Sequence, residues 1–247
     1  MKAIVLAAGY ATRLYPMTKE QSKALLDVKG KPIISYIVEK ICELKEVNEV
    51  IVVSNDKFFY DFEDWAKKNK CTVPLKLLND HSTSEENRLG AIGDIAYVIE
   101  ELKIDEDVLV VAGDNLFDFN LEKMTKTSEE KNASAIALYR FPSKEEIAGK
   151  FGVVELDPTK KIIGFEEKPE KPRTNYAATA CYLFRRSDLL DLQEYLKAFS
   201  GKDDSGKFIA YLSSKKDVFG VLFSGQWFDI GSFEALGKAR SEFNGGK

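Results

Sequence analysis

The chain has 247 residues, of which 44% are hydrophobic and 11% aromatic, which allows a sizeable core and argues against a disordered protein. Its 36 basic and 40 acidic side chains give a net charge of −4, which argues against a dedicated nucleic-acid-binding protein. The single histidine, His81, argues against a multi-histidine metal site and a histidine-dependent hydrolase. Any metal should therefore be held by carboxylates, and Mg²⁺ is the expected ion.

The cysteines and the N-terminal segment bear on the compartment. Cys42, Cys71 and Cys181 share no close spacing, which is typical of reduced core thiols and not of a disulfide framework or a zinc site. The early apolar run at residues 3–8 is too short for a signal peptide or a membrane span. We therefore expect a soluble cytoplasmic protein, a monomer or a homo-oligomer, with no membrane and no nucleic acid as partner.

The first half of the chain alternates apolar runs with helical patterns. Residues 3–8 are continuously apolar and precede Gly9, which predicts a strand buried on both faces. Similar strands are predicted at 50–54, 74–78 and 108–112, with helices at 34–44, 58–69 and 90–102. This alternation predicts right-handed crossovers and a parallel sheet.

The second half is richer in strands. Strands are predicted at 133–140, 152–156, 162–166, 176–184 and 218–223, with helices at 187–198, 208–213 and 233–243. Asp157, Pro158 and Thr159 supply turn chemistry between two of these strands, which predicts a hairpin. The pattern indicates an α/β core with an antiparallel layer and no linker, and residues 244–247 are expected to fray.

A candidate anion-binding turn follows the N-terminal strand. Ala7, Ala8 and Gly9 are small enough to let backbone N–H groups approach a phosphate, and Arg13 follows four positions after Gly9. The alternative is a plain strand-to-helix turn with a surface arginine. The segment lacks the three glycines of a dinucleotide-binding motif and the Gly-Lys-Ser/Thr of a P-loop.

Charged residues follow three other predicted strands. Asp114 comes just past the 108–112 strand, at the edge where α/β proteins bind ligands, and could hold Mg²⁺ or cap a helix. Glu167 and Lys168 could bind a polyol and a phosphate, or form a solvated strand end. Asp229, framed by aromatic and aliphatic residues, could be a second metal ligand or a helix cap.

Taken together and in order, these motifs resemble the sugar-1-phosphate nucleotidyltransferase family, and most of all its glucose-1-phosphate thymidylyltransferase-like members. The family's opening pattern, L-A-x-G-x-G-T-R-L-x-P-x-T-x-x-x-x-K-x-L-L-x-V-x-x-K-P, is matched from Leu6 to Pro32. The resemblance continues at 113–115, 151–155, 166–169, 175–177 and 227–231. It implies the reaction NTP + sugar 1-phosphate → NDP-sugar + pyrophosphate, with Mg²⁺ as cofactor.

The resemblance also implies a fold and residue roles. The implied fold is a Rossmann-like, mixed but mostly parallel sheet flanked by helices, with an antiparallel sugar-binding layer in the second half. Residues 1–247 would form one domain, with a nucleotide-binding part at 1–132 and a sugar-phosphate-binding part at 133–247, and no appended β-helix or accessory regulatory helices. The implied roles are catalysis by Arg13, Lys23 and Lys168; nucleotide binding by Ala8, Gly9, Asn87, Gly90 and Asp114; sugar-phosphate binding by Gly152, Glu167, Lys168 and Thr179; and Mg²⁺ binding by Asp114 and Asp229.

Two departures from the family pattern affect these expectations. Ala11 stands where most members have a second glycine, and a Cβ is tolerable there only if the residue avoids a positive φ. Residues 82–94 lack the glutamine that reads the pyrimidine in thymidylyl and uridylyl enzymes, so Asn87 is a candidate substitute and Arg88 a candidate contact. The resemblance favours dTTP or UTP and glucose 1-phosphate, with CTP still open.

Three other functions are compatible with such a chain. Cytidylyl transfer to a non-sugar phosphate, such as phosphocholine or inositol phosphate, is disfavoured by the Gly152 and Glu167 matches. A non-catalytic regulatory subunit is disfavoured by the retained charged residues. A glycosyltransferase would normally carry Asp-x-Asp, which Asp203-Asp204 lacks and residues 118–120 only approximate.

Overall fold

A computed structural model describes residues 1–69, 71–199 and 205–245 of the chain. Asp203, Asp204 and the last two residues of the predicted frayed tail lie outside these ranges. The strands are β1 (Lys2–Leu6), β2 (Asp27–Val28), β3 (Lys31–Pro32), β4 (Glu49–Ser54), β5 (Leu75–Asn79), β6 (Val108–Ala112), β7 (Asn115–Phe117), β8 (Ser134–Arg140), β9 (Gly152–Leu156), β10 (Ile162–Glu167), β11 (Tyr176–Phe184), β12 (Val218–Phe223) and β13 (Trp227–Asp229). The helices are α1 (Ile33–Cys42), α2 (Phe59–Lys68), α3 (Ala91–Leu102), α4 (Glu122–Lys131), α5 (Leu189–Ala198), α6 (Ser205–Lys215) and α7 (Phe233–Glu242).

The central sheet of the described residues has nine strands. Seven of them run in the order β10-β9-β11-β6-β1-β4-β5, and β8 lies against β11 and carries β12 at its other edge. The β6-β1-β4-β5 block is parallel, as the alternation of strands and helices predicts. The antiparallel strands of the second half continue this same sheet, because β11 pairs antiparallel with both β6 and β8.

Helices cover both faces of the sheet, so its inner strands are buried on both sides. Ala3, Ile4 and Val5 of β1 are each 0% exposed, and alternate residues belong to different hydrophobic clusters. One cluster includes apolar side chains of α1, α2, α4 and α7, and the other those of α3, α5 and α6. The unbroken apolar runs of the parallel strands follow directly from this double burial.

The predicted hairpin is confirmed. Strands β9 and β10 pair antiparallel, and the Asp157 carboxylate accepts hydrogen bonds from the Thr159 and Lys161 N–H groups at 2.8 and 3.0 Å. Asp157 therefore holds the turn through its side chain, as aspartate commonly does.

Helix α4 and the short strands β7 and β13 were not predicted. The α4 segment is strongly charged, and only Met124, Thr125 and Ser128 of its ten residues are buried, so no apolar periodicity marks it. Strands β7 and β13 have three residues each, and they pair only with each other. Neither has a local signal, since their pairing depends on residues more than 100 positions apart.

Cys42 and Cys71 form a disulfide, with Cα atoms 6.4 Å apart, so the prediction of reduced thiols is wrong for these two residues. Their separation of 29 residues gave no sign of pairing, because the fold brings the end of α1 to the segment after α2. The cysteine pattern therefore no longer argues for a reducing compartment. Cys181 is a buried free thiol, as predicted, and burial raises its pKa.

Within the described ranges, no helix is long and apolar enough to span a bilayer.

Reduction of the Cys42–Cys71 bond should lower the free energy of unfolding by about 3.6 kcal/mol, the chain-entropy value for a sequence separation of 29 residues. Urea unfolding with and without a reductant measures the difference, and a Cys42→Ala/Cys71→Ala variant should be insensitive to the reductant. If the unreduced, denatured protein shows three reactive thiols per chain and not one, the assigned disulfide is wrong.

Candidate active site

The loop after β1 runs along the carboxyl edge of the parallel block. Ala8 and Gly9 follow the strand end, and the buried side chain of Asn55 donates a hydrogen bond to the Ala8 carbonyl at 2.9 Å. Tyr10 is 4% exposed, and its hydroxyl donates to the Ser82 carbonyl at 2.8 Å. The loop is thus fixed from two neighbouring segments, which leaves its backbone preorganised for a ligand.

Ala11 adopts the left-handed conformation with φ of 49°, so the expectation that it avoids positive φ is wrong. Two hydrogen bonds hold it there: its carbonyl accepts from the Leu14 N–H at 2.9 Å and from the buried Thr18 hydroxyl at 2.8 Å. Together they can offset the strain of about 1 kcal/mol that an alanine carries in this region. The loop therefore keeps a glycine-like path without the glycine.

A first cavity of about 190 Å³ opens beside this loop. The predicted residues Ala8, Gly9, Lys23, Gly90 and Asp114 all line it. Gly113 also lies in its wall, and a Cβ there would come within 2.7 Å of the Leu6 carbonyl oxygen, so only glycine allows strands β1 and β6 to end so close together. The cavity is concave, narrow and flanked by backbone, as a phosphate-bearing ligand requires.

The segment before α3 does not bring Asn87 into the first cavity. The Asn87 amide oxygen accepts from the N–H groups of Thr83 and Ser84 at 3.0 and 2.9 Å, so the side chain closes its own turn. Arg88 and Asp94 line the cavity instead, and Asp94 is only 5% exposed. Sequence reasoning weighed Arg88 but missed Asp94, because a single aspartate in the first turn of a helix is typical of capping.

Lys23 and Asp114 form an ion pair at the inner end of the first cavity. Burial disfavours the charged form of both groups, but their mutual attraction outweighs it. The attraction between the two charges raises the pKa of Lys23. The same attraction, together with the hydrogen bond from the Asn115 amide, lowers the pKa of Asp114. Both side chains are therefore charged at neutral pH.

Asp229 approaches Asp114 through the pairing of two short strands. In the β7–β13 ladder Asp229 lies opposite Asn115, and the Ile230 N–H donates to the Asp114 carbonyl at 3.1 Å. Burial raises the pKa of Asp229 to about 6, and the negative charge of Asp114 adds to the shift. Two carboxylates from distant parts of the sequence are thus brought within electrostatic reach.

A second cavity of about 230 Å³ meets the first at Ala112 and Asp114, which line both. The predicted residues Gly152, Glu167, Lys168, Thr179 and Asp229 all lie in its wall. Apart from Arg13 and Asn87, the sequence-predicted residues therefore lie in the walls of these two cavities, and Asp114 stands at the junction.

Arg13 differs from the other predicted cations in its position. Its side chain is exposed and lies outside the walls of both cavities. Its positive charge nevertheless acts on Lys23 and Asp229 and lowers the pKa of each, which opposes the net upward shift of both groups. The Lys168 side chain is 54% exposed, and its Nζ lies 3.4 Å from Glu167 Oε1. Its positive charge also lowers the pKa of Asp229.

Glycines and a bulge shape the second cavity. A Cβ on Gly152 would meet the Phe165 ring at 2.5 Å, and one on Gly206 would meet a Glu167 carboxylate oxygen at 2.4 Å. The two glycines therefore leave the space that Phe165 and Glu167 occupy. The β11–β8 register shifts between Ala178 and Tyr182, which turns this part of the strand into the cavity wall.

Sequence reasoning missed several residues of the second cavity. Phe151 and Trp227 form an aromatic wall, with ring centroids 5.2 Å apart, and Gly206 reaches the cavity from the start of α6. The first two lie within motifs of the family resemblance, at 151–155 and 227–231, but the sequence analysis gave neither a role in the site. Gly206 follows an undescribed segment and has no motif around it.

The donor set at the junction fits Mg²⁺. The described residues hold no cluster of three or more metal-ligand side chains, and the candidate ligands are the two carboxylates Asp114 and Asp229. Mg²⁺ is usually bound by one or two carboxylates, with substrate phosphates and water completing its shell. A tetrahedral zinc site would need further histidine or cysteine ligands.

The chain belongs to the nucleotidyl transferase family, whose pattern it matches over residues 2–244. This confirms the family resemblance of the motifs.

Solved structures share the fold. A Bacillus anthracis protein designated a glucose-1-phosphate thymidylyltransferase, solved with sucrose, is 24% identical with a TM-score of 0.80, over 98% of this chain and 94% of that one. A UDP-glucose pyrophosphorylase solved with UDP-glucose is 23% identical with a TM-score of 0.82, over 98% and 97%. The UDP-glucose pyrophosphorylase of Acinetobacter baumanii is 19% identical with a TM-score of 0.78, over 99% and 95%. These likenesses confirm the predicted fold class.

In metal-free protein, Asp229→Asn should increase the free energy of unfolding at pH 8, and much less at pH 4. The Asp229 pKa is raised from 3.8 to about 6 by folding, so the carboxyl destabilises the fold progressively between about pH 4 and 6, and fully above pH 6. At pH 8 the variant should therefore exceed the wild type in free energy of unfolding by at most about 3 kcal/mol.

Urea unfolding in EDTA across this pH range measures the effect of Asp229→Asn. Glu20→Gln is the matched control, because it removes the same charge from an exposed position. An Asp229→Asn curve parallel to that of the wild type at every pH would contradict the raised pKa.

Proposed function

We propose that the protein is a sugar-1-phosphate nucleotidyltransferase that makes an NDP-sugar and pyrophosphate from a nucleoside triphosphate and a sugar 1-phosphate. The favoured substrates are dTTP or UTP and glucose 1-phosphate. The observation that carries the proposal is the meeting of two cavities at Asp114, with Lys23 lining the first and Lys168 the second. Membership of the nucleotidyl transferase family supports it, as do similar proteins named for glucose 1-phosphate and UDP-glucose.

The proposed reaction needs alignment more than acid–base chemistry. A nucleotide in the first cavity would present its α-phosphorus towards Asp114, and a sugar phosphate in the second would approach from the other side. The phosphate oxygen of the acceptor is already a nucleophile, so no base has to remove a proton. This suits a chain whose single histidine, His81, is exposed and outside both cavities. Holding two reactants in line can supply a large part of the rate enhancement.

Three cations would compensate the negative charge of the phosphates. Lys23 is held at the junction by Asp114, where it would contact the α-phosphate. Lys168 would bind the acceptor phosphate in the second cavity. Arg13, exposed on the loop, would fold onto the β- and γ-phosphates that leave as pyrophosphate. Fixed positive charge at a developing negative one is a large contribution to phosphoryl and nucleotidyl transfer.

Asp114 and Asp229 would hold Mg²⁺. When bound, the ion supplies positive charge that neutralises the phosphate oxygens and helps to orient them. Burial raises the pKa of Asp229 and the negative charge of Asp114 raises it further, and a bound cation would oppose both effects.

Sugar binding would rely on the groove beside Gly152 and Gly206. Glu167 is directed between these glycines, where its carboxylate could accept hydrogen bonds from sugar hydroxyls. Phe151 and Trp227 offer an apolar face of the kind that packs against a pyranose ring. Such a lining favours a hexose over a small polar acceptor.

The base is less constrained than the sugar. Asn87 is engaged in its own turn, and the charged residues of the first cavity near α3 are Arg88 and Asp94. A carboxylate is a natural acceptor for an exocyclic amine such as that of cytosine. CTP is therefore tested beside dTTP and UTP, with phosphocholine and inositol phosphate as further acceptors.

Mg²⁺-dependent pyrophosphate release across these nucleotides and acceptors tests the proposal. One strongly preferred pair is expected, and Arg13→Ala, Lys168→Ala and Asp114→Asn should each lower kcat/KM for it by about 100-fold or more. Lys168→Ala should act chiefly on the acceptor and leave nucleotide binding unchanged.

Exposed lysines near these positions provide matched controls. Lys19→Ala and Lys171→Ala remove equal charges from the same two segments and should stay within about twofold of wild type. Wild-type kcat/KM in Asp114→Asn or Arg13→Ala would contradict the assigned roles. No release from any pair, with nucleotide binding intact, would favour a regulatory subunit.

A further inference from the structure

Asp114 is held by a chain of hydrogen bonds that runs from the wall of the second cavity to the junction. The Trp227 indole N–H donates to the Asn115 amide oxygen at 2.6 Å, and the Asn115 amide nitrogen donates to Asp114 Oδ1 at 2.9 Å. The other oxygen, Oδ2, accepts from Lys23. We propose that Asn115 and Trp227 are positioning residues for the reaction, which fix the Asp114 carboxylate from the acceptor side. The inference rests on the proposed function.

The partners of Asn115 allow only one orientation of its amide. An indole N–H can only donate, so it requires the amide oxygen, and an ionised carboxylate can only accept, so it requires the amide nitrogen. Turning the amide over would place donor against donor and acceptor against acceptor. Asn115 is 4% exposed, so water cannot readily replace either partner. The orientation of the Asp114 carboxylate is therefore set through Asn115 by Trp227.

The backbone of the same asparagine also pairs with that of Asp229. Its backbone lies opposite Asp229 in the β7–β13 ladder, while its side chain bonds Asp114. One residue therefore fixes the relative placement of both candidate metal ligands. Partners that orient a metal ligand typically change metal affinity or activity by about 10- to 100-fold when removed.

Trp227 connects this arrangement to the bound acceptor. Its ring lies in the wall of the second cavity and packs against Phe151 at 5.2 Å and Tyr139 at 5.7 Å between centroids. A sugar phosphate seated there would press on the ring whose N–H anchors Asn115. The aromatic packing keeps the ring in place and the N–H directs the amide, so the two contributions can be separated by substitution.

Trp227→Phe and Asn115→Leu test the proposal, because the first keeps an aromatic ring, the second keeps the side-chain volume, and each removes the hydrogen bond. Both should lower kcat by about tenfold or more while KM for the nucleotide stays within about twofold. The chain contains one other tryptophan, Trp65, whose N–H donates to Ser35 at 2.8 Å far from both cavities. Trp65→Phe is therefore a matched control and should leave kcat unchanged. If Trp227→Phe retains kcat as Trp65→Phe does, the proposal is wrong.

The indole N–H resonances give a second readout that does not depend on activity. A ¹⁵N-labelled protein has two indole signals, and Trp65→Phe identifies the one from Trp227. Asn115→Leu and Asp114→Asn should both shift the Trp227 signal and leave that of Trp65 in place. An unmoved Trp227 signal in either variant would overturn the hydrogen-bond chain. If the wild-type protein releases no pyrophosphate, the proposed function fails. The indole N–H signals then still show whether the hydrogen bonds from Trp227 through Asn115 to Asp114 exist.

Discussion

The ion pair between Lys23 and Asp114 is the interaction on which the rest of the site depends. A buried carboxylate loses several kcal/mol of solvation unless it is paired and hydrogen-bonded. Lys23 and Asn115 meet that requirement at Asp114, whose pKa is lowered despite burial. Asp229 lacks an equally close cation, and its pKa stays raised. The junction therefore keeps one ionised carboxylate and a second whose ionisation is disfavoured until a cation is bound, which is the electrostatic basis of the proposed Mg²⁺ site.

The fold places this pair where two ligands can reach it. Parallel strands β1 and β6 end side by side because Gly113 allows their close approach, and the loop after β1 supplies backbone to the first cavity. Antiparallel strands then extend the same sheet and bring β9, β10 and β11 to the other side of Asp114. The mixed sheet is thus what sets the first cavity against the second, with Asp114 between them.

Much of this could be predicted from local pattern, and the remainder depends on long-range contacts. The parallel strands, the hairpin and most helices have clear periodicity, and the motif residues fall into the two cavities, apart from Arg13 and Asn87. Helix α4 lacks an apolar face, and the Cys42–Cys71 bond depends on chain folding, so neither was predicted. Ala11 shows the limit of a residue rule, since two hydrogen bonds hold a conformation that glycine would adopt freely. The Trp227–Asn115 chain links segments 112 positions apart and has no sequence signature.

Donor and acceptor should meet at Asp114 from two cavities, and a crystal structure with bound UDP-glucose or dTDP-glucose tests this most directly. The product should span both cavities, with the nucleoside along Ala8 and Gly9, the diphosphate beside Asp114 and the hexose against Glu167. A product confined to one cavity, or bound outside both, would contradict this arrangement.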